Sequence, residues 1–153
     1  MGISHLTTYL WFDNEAQEAA EFYVSVFPDS RIVSMDYYKE HHIKPAGSVL
    51  SVQFELMGQS FATLNGGPQF PHSEAVSFQV FGDSQEDIDY LWNALTANGG
   101  QESQCGWCKD KYGVSWQIIP RVLSERLNSD DQEIADRTWK ALMNMTKIVI
   151  ADL

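Results

Sequence analysis

The stretch DSQEDIDYLWNALTANGG, residues 83–100, decides the architecture. Ser84 followed three residues later by Asp87 reads as a capping box. Ile88, Leu91, Trp92 and Leu95 recur at helical spacing, and Asn98-Gly99-Gly100 stops the helix. Shifting this stripe back by 72 positions, Ile88 onto Ala16, lands its four members on Ala16, Ala19, Ala20 and Tyr23. The earlier helix has its own punctuation. Asp13 and Asn14 offer N-caps, Gln17 follows Asn14 as in a capping box, Phe27 extends the stripe, and Pro28-Asp29-Ser30 ends it.

Around each helix the spacing changes from helical to strand-like. Before the first helix lies His5–Phe12, rich in aromatic and β-branched residues. After it come Arg31–Tyr38, Ser48–Leu56 and Ser60–Leu64, with Met57-Gly58-Gln59 as a tight turn and Asn65-Gly66-Gly67-Pro68 as a break. The second helix is preceded by Ala75–Phe81 and followed by Gln101–Lys109 and Val114–Ile119, the last two joined by a hairpin turn at Asp110-Lys-Tyr-Gly113. Strand, helix, strands, twice over, predicts an α+β fold of paired βαβββ modules in a mixed, mostly antiparallel sheet. Module one spans about residues 4–68 and module two about 73–120, within a single domain of 1–153; a C-terminal helical tail occupies 121–153. In that tail Asp130 with Glu133 caps a helix carrying Ala135, Trp139, Leu142 and Met145 or Thr146, and Lys147–Ile150 reads as a short strand. So apolar a tail covers either its own sheet edge or a partner subunit.

Composition excludes several classes of function. Ten basic against 21 acidic residues leave a net charge of −11, which repels nucleic acid and anionic lipid. Leu6 breaks the myristoylation pattern, and neither a signal peptide nor an apolar run of membrane-spanning length is visible. The expectation is a cytoplasmic protein with no nucleic-acid or membrane partner. Five Trp, eight Phe and six Tyr are enough for a solid core and an aromatic pocket wall.

Leu10-Trp-Phe-Asp-Asn14, Ala19-Ala-Glu-Phe-Tyr23, Phe27-Pro28, Leu64-Asn-Gly-Gly-Pro68, Cys105-Gly-Trp107 and Lys109–Pro120, in that order, resemble the PhnB-like branch of the glyoxalase/bleomycin resistance/dioxygenase (vicinal oxygen chelate) superfamily. That branch carries the label "3-demethylubiquinone-9 3-methyltransferase domain". The resemblance implies a cup-shaped sheet of eight strands and a homodimer. It also implies that any divalent metal would take His, Glu or Gln from the first and last strand of each module. Here those strands offer His5, with Thr8 nearer the family's phase, nothing in Ser60–Asn65, Ser77 and Gln79 at most, and Gln117 where a Glu is expected. His5 and Gln117 would be the ligands of any metal, and two do not make a site. No cofactor is expected. The methyltransferase label lacks a glycine-rich turn for S-adenosylmethionine, since Gly66-Gly67 and Gly99-Gly100 sit at loop ends.

The polar pocket candidates are Thr8, Asn65, Ser77, Gln79 and Gln117, with Trp107 as an aromatic wall; Ser115 and Ile119 share the phase of Gln117. Trp11, Trp92 and Trp116 are expected in the core, the first and last facing the helices. Cys105-Gly-Trp-Cys108 lies in a strand-like run rather than before a helix, which favours two reduced thiols over a redox pair. His41-His42 reads as a solvated loop. No carboxylate pair falls on facing strands, so no acid–base residue is nominated. The leading expectation is a metal-independent protein that binds a small molecule in the cup. The alternatives are a divalent-metal enzyme of glyoxalase or dioxygenase type, and an interaction module whose cup is filled by side chains.

Overall fold

Strand pairing runs twice through the same plan in the computed structural model, which describes residues 2–153. The chain divides into two units, the first ending at Pro71 and the second running from His72 to Leu153. The first contains β1 (Thr8–Phe12), α1 (Ala16–Val26), β2 (Arg31–Tyr37), β3 (Val49–Leu56) and β4 (Gln59–Asn65), in the sheet order β1-β4-β3-β2. The second contains β5 (Ser77–Gly82), α2 (Gln85–Thr96), β6 (Gln101–Glu102), β7 (Trp107–Lys109) and β8 (Ser115–Pro120), in the order β5-β8-β7-β6. β1 runs parallel to β4 and β5 parallel to β8, while the other pairings are antiparallel. The predicted βαβββ repeat is therefore present in both halves.

In the first unit the helix sets the phase of the sheet. Ala16, Ala19, Ala20, Tyr23 and Val26 are the buried stripe of α1, and three alanines let the helix lie close to the strands. Tyr23 stacks on Phe54, which stacks on Phe61. Burying a side chain of this size is worth about 2–3 kcal/mol. Phe61, Thr63 and Asn65 of β4 are paired with Thr8, Leu10 and Phe12 of β1, so these six share the helix face. Tyr9, Trp11, Ala62 and Leu64 point the other way. This reverses the facing expected for Trp11 and Thr8. The run TYLWF is apolar on both faces, and its phase is decided by Leu10 and Phe12, 6% and 5% exposed under α1.

Both helix starts are capped, by different means. Ser84 and Asp87 form the predicted capping box on α2. The expected Asn14–Gln17 box on α1 is absent: Glu15 occupies the N-cap, and its carboxylate accepts the Asn14 N–H rather than one from the helix. Asn65, 49 residues away on β4, accepts the Ala16 N–H through Oδ1 at 2.8 Å, and Thr63 Oγ1 donates to the Ala16 carbonyl at 2.7 Å. Asn14 instead accepts from Lys44 Nζ at 2.7 Å. Those bonds tie the loop containing His41 and His42 to the start of α1, and His42 Nδ1 accepts the Lys39 N–H within that loop.

The tail departs from expectation in two places. It holds two helices, α3 (Arg121–Leu127) starting directly after Pro120 and α4 (Gln132–Leu142), capped by Asp131 rather than Asp130. Residues 147–150 do not form a strand; a 3-10 turn spans Ile150–Asp152. The backbone there pairs with a side chain instead. Gln85 Nε2 donates to the Ile148 carbonyl and Gln85 Oε1 accepts the Ile150 N–H. Ile119, Leu123, Leu142, Ile148 and Leu153 form one buried cluster. The tail thus covers part of its own unit. Among the described residues no helix is long and apolar enough to cross a membrane.

Candidate functional site

In the second sheet, register places Ser77, Gln79 and Phe81 beside Ser115, Gln117 and Ile119, with Trp107 beside Gln117 and Lys109 beside Ser115. The opposite face belongs to α2. There Cys108, Trp116 and Ile118 are buried, and Trp92 Nε1 donates to Glu102 Oε1 at 2.8 Å. Trp116 Nε1 donates to Asp110 Oδ2, whose other oxygen accepts the Tyr112 and Val114 N–H groups and so closes the turn into β8. With Trp92 and Trp116 fixed on the helix side, Gln117 must face away from it, as expected.

On this outward face the polar candidates meet. Gln117 Nε2 donates to Ser77 Oγ at 2.8 Å, and Gln79 Nε2 donates to Gln117 Oε1 at 3.3 Å. Gln79 is exposed, whereas Ser77, Gln117 and Trp107 are half-buried. The result is a short relay of neutral donors and acceptors, orienting an amide outward beside an indole ring. Next to it lies a cleft of about 110 Å³ lined by residues that include Glu74, Glu102, Trp107, Cys108, Lys109 and Ser115. Lys109 Nζ meets Glu74 Oε1 at 2.6 Å, and the lysine beside it holds the Glu74 carboxyl below its ordinary range.

Thr8 and Asn65 do not join this group. Thr8 lies on the α1 side of its sheet. Asn65 is 6% exposed and spends its amide within the first unit, Oδ1 on Ala16 and Nδ2 on the Val49 carbonyl, while its own carbonyl accepts from the Tyr38 hydroxyl. The outward face of the first sheet carries residues that the sequence does not nominate for a pocket, Trp11 being expected in the core: Gln53 Nε2 donates to the Tyr9 hydroxyl, and Trp11 packs edge-on against Phe70 while donating to the Gly67 carbonyl. The register of β1 is the signal that finds them.

The side chains fit neither a metal centre nor a redox pair. His5 precedes β1, exposed and bonded only to Ser4. Gln117 has Gln79 and Trp107 as row neighbours, and among the described residues no three His, Cys, Asp or Glu side chains converge. A hard divalent cation is a poor fit for neutral amides alone. Both cysteines are free. Cys105 holds a left-handed backbone (φ 58°) with its Sγ donating to the Leu142 carbonyl. The Cys108 thiol is pushed up to about 12, first by burial and then by the carboxylates of Asp110 and Glu102. A thiol so protonated is inert as a nucleophile at neutral pH.

Comparison with known proteins sets this geometry in context. No curated protein matches the chain. A PhnB protein from Bacillus cereus is 33% identical, covering 76% of this chain and 99% of its own, with a TM-score of 0.69. Protein PA1353 from Pseudomonas aeruginosa shares the fold at 19% identity, covering 77% of this chain and 98% of its own, with a TM-score of 0.61. So does FosX, a fosfomycin resistance protein from Listeria monocytogenes solved with Mn(II) and sulfate, at 19% identity, 83% and 98% coverage and a TM-score of 0.52. The model of the family described as 3-demethylubiquinone-9 3-methyltransferase matches residues 4–119. With both βαβββ units inside that match, the chain belongs to this family, the PhnB-like branch of the glyoxalase/bleomycin resistance fold.

Proposed function

We propose that this protein binds a small polar organic molecule on the outward face of its second sheet, without a resident metal, as a cytoplasmic homodimer. The observation that carries the reading is the Ser77–Gln117–Gln79 relay beside Trp107. Its amides are oriented before any ligand arrives, so binding need not bear the cost of ordering them. An indole wall with a few convergent polar groups is the usual make-up of a small-molecule site. The acidic surface and two free thiols support the compartment.

The family's description names a methyltransferase, and the residues do not fit S-adenosylmethionine. The β1–α1 and β5–α2 connections hold Asp13, Asn14, Glu15, Asp83 and Ser84 rather than glycine. The glycines are otherwise engaged. A Cβ on Gly66 would fall 2.2 Å from the Trp11 ring, and Gly99 (φ 109°) ends the turn after α2. The alternative of a metal-dependent enzyme draws on the FosX likeness.

Metal analysis of protein purified without chelator or nickel, read with native mass, separates the two. A metal-free dimer whose Trp107 fluorescence responds in a small-molecule screen, with the response lost in Gln117→Ala, supports the binding reading. One divalent ion per subunit, released by Gln117→Ala, overturns it in favour of the enzyme.

A further inference from the structure

The row that carries Gln117 is neutral, and its unused hydrogen-bonding groups are of both kinds. Gln79 Nε2 gives one N–H to Gln117 Oε1, and Gln117 Nε2 gives one to Ser77 Oγ. A side-chain amide has two N–H donors and a carbonyl oxygen that accepts. Gln79 therefore keeps its oxygen and a second N–H, and Gln117 keeps a second N–H. Gln79 is exposed, so a ligand reaches these groups without disturbing the fold.

The surroundings are aromatic, and the charges flanking the row are paired. Trp107 continues the row beyond Gln117. In the next row the tail cluster covers Ile119 to 6% exposure, whereas its neighbour Phe81 stays 41% exposed. Lys109 meets Glu74 at 2.6 Å on one side, and Arg121 meets Asp83 at 2.7 Å on the other. Each of these charges has its counter-charge within the protein.

We propose that this row binds a flat, neutral molecule with a cyclic amide edge, an N–H and a C=O side by side as in a lactam or ureide. The ligand carbonyl accepts from a glutamine N–H, its N–H donates to Gln79 Oε1, and its ring lies against Trp107 toward Phe81. A carboxylate offers acceptors only, and would face Gln79 Oε1 with Lys109 and Arg121 already paired. An ammonium offers donors only and leaves the glutamine N–H groups unanswered. An amide edge answers both and brings no charge to desolvate. The inference rests on reading this face as the ligand surface, and adds the class of molecule.

The test titrates the full-length, isotope-labelled protein with 2-pyridone, a flat lactam. N-methyl-2-pyridone, which lacks the N–H, and benzoate, a flat anion, run in parallel. The Gln79 and Gln117 side-chain amides and the Trp107 indole provide the NMR readout. 2-Pyridone is expected to shift these signals with a Kd of about 1 mM, as suits so small a ligand. Loss of one hydrogen bond should weaken N-methyl-2-pyridone about tenfold, and benzoate should leave the signals in place. Gln79→Leu removes the donor and the acceptor from an exposed position, where folding is not at stake, and the two pyridones should then bind about equally. Equal binding of the pyridones to wild type, a preference for benzoate, or discrimination undiminished in Gln79→Leu overturns the amide class. No response to 2-pyridone overturns it as well. A Trp107 response to other molecules of a general screen would then leave the ligand surface standing, and silence toward the whole screen would defeat both.

Discussion

Replacing Asn65 with alanine should destabilise the first unit more than any ligand-contact role would suggest. The side chain makes two buried bonds, accepting the Ala16 N–H at 2.8 Å and donating to the Val49 carbonyl at 3.1 Å. Truncation removes both and leaves a helix-start donor and a strand carbonyl without partners. Loss of a cap costs about 1 kcal/mol, and orphaning the carbonyl adds about 1–2 kcal/mol. The sum of about 2–3 kcal/mol should lower Tm by roughly 4–12 °C in a chain of this size. Asn65→Asp keeps the acceptor and places a negative charge at the start of α1, so it should recover about 1 kcal/mol of the loss. Urea unfolding followed by far-UV circular dichroism measures all three proteins. An Asn65→Ala midpoint within error of wild type, or Asn65→Asp no better than alanine, refutes the capping role.

Gly66→Ala should push Trp11 off its seat at a cost of about 1–3 kcal/mol, because the new Cβ falls 2.2 Å from the ring; unchanged stability and tryptophan emission would contradict the packing. Gln85→Ala should cost about 1–2 kcal/mol and speed hydrogen exchange at Ile150, whose N–H it accepts; unaltered exchange would show that the tail holds itself. Cys108 supplies a pH test. Its folded pKa of about 12 lies above the ordinary 9.0, so its contribution is complete below about pH 9 and lost as pH rises toward about 12, at up to about 1.4 kcal/mol per unit. Urea midpoints measured across that range should fall less steeply in Cys108→Ala, and parallel curves would remove Cys108 as the cause.

The sequence made local features legible and left long-range ones hidden. The stripe of α2, its Ser84–Asp87 cap and the turn at Asp110 are written in neighbouring residues, and each stands where it was expected. The outward facing of Gln117 was legible because the flanking Trp116 and Ile118 are large and apolar. β1 offered no such contrast, since Tyr9 and Trp11 are as hydrophobic as Leu10 and Phe12. Asn65 looked like a pocket amide because nothing local shows that Ala16, 49 residues earlier, needs an acceptor. Ser77, Gln79, Trp107 and Gln117 share a face, while Thr8 and Asn65 lie under α1. α3 carries no such local mark: it starts directly after β8, with Pro120 at its N-cap and no side-chain cap bond.

The two caps set different conditions for the order of folding. α2 carries both members of its cap, Ser84 and Asp87, at its own first turn, so that turn can form as soon as the segment is free to fold. α1 takes its cap from β4, so the intervening chain must close before Ala16 has its partners. Loop closure of that length precedes the reward. Pulse-labelled hydrogen exchange during refolding should therefore protect the amides of α2 before those of α1, and simultaneous protection would mean that the cap does not set the order. A duplicated plan thus has one half that starts its helix from local information and one that waits for its sheet.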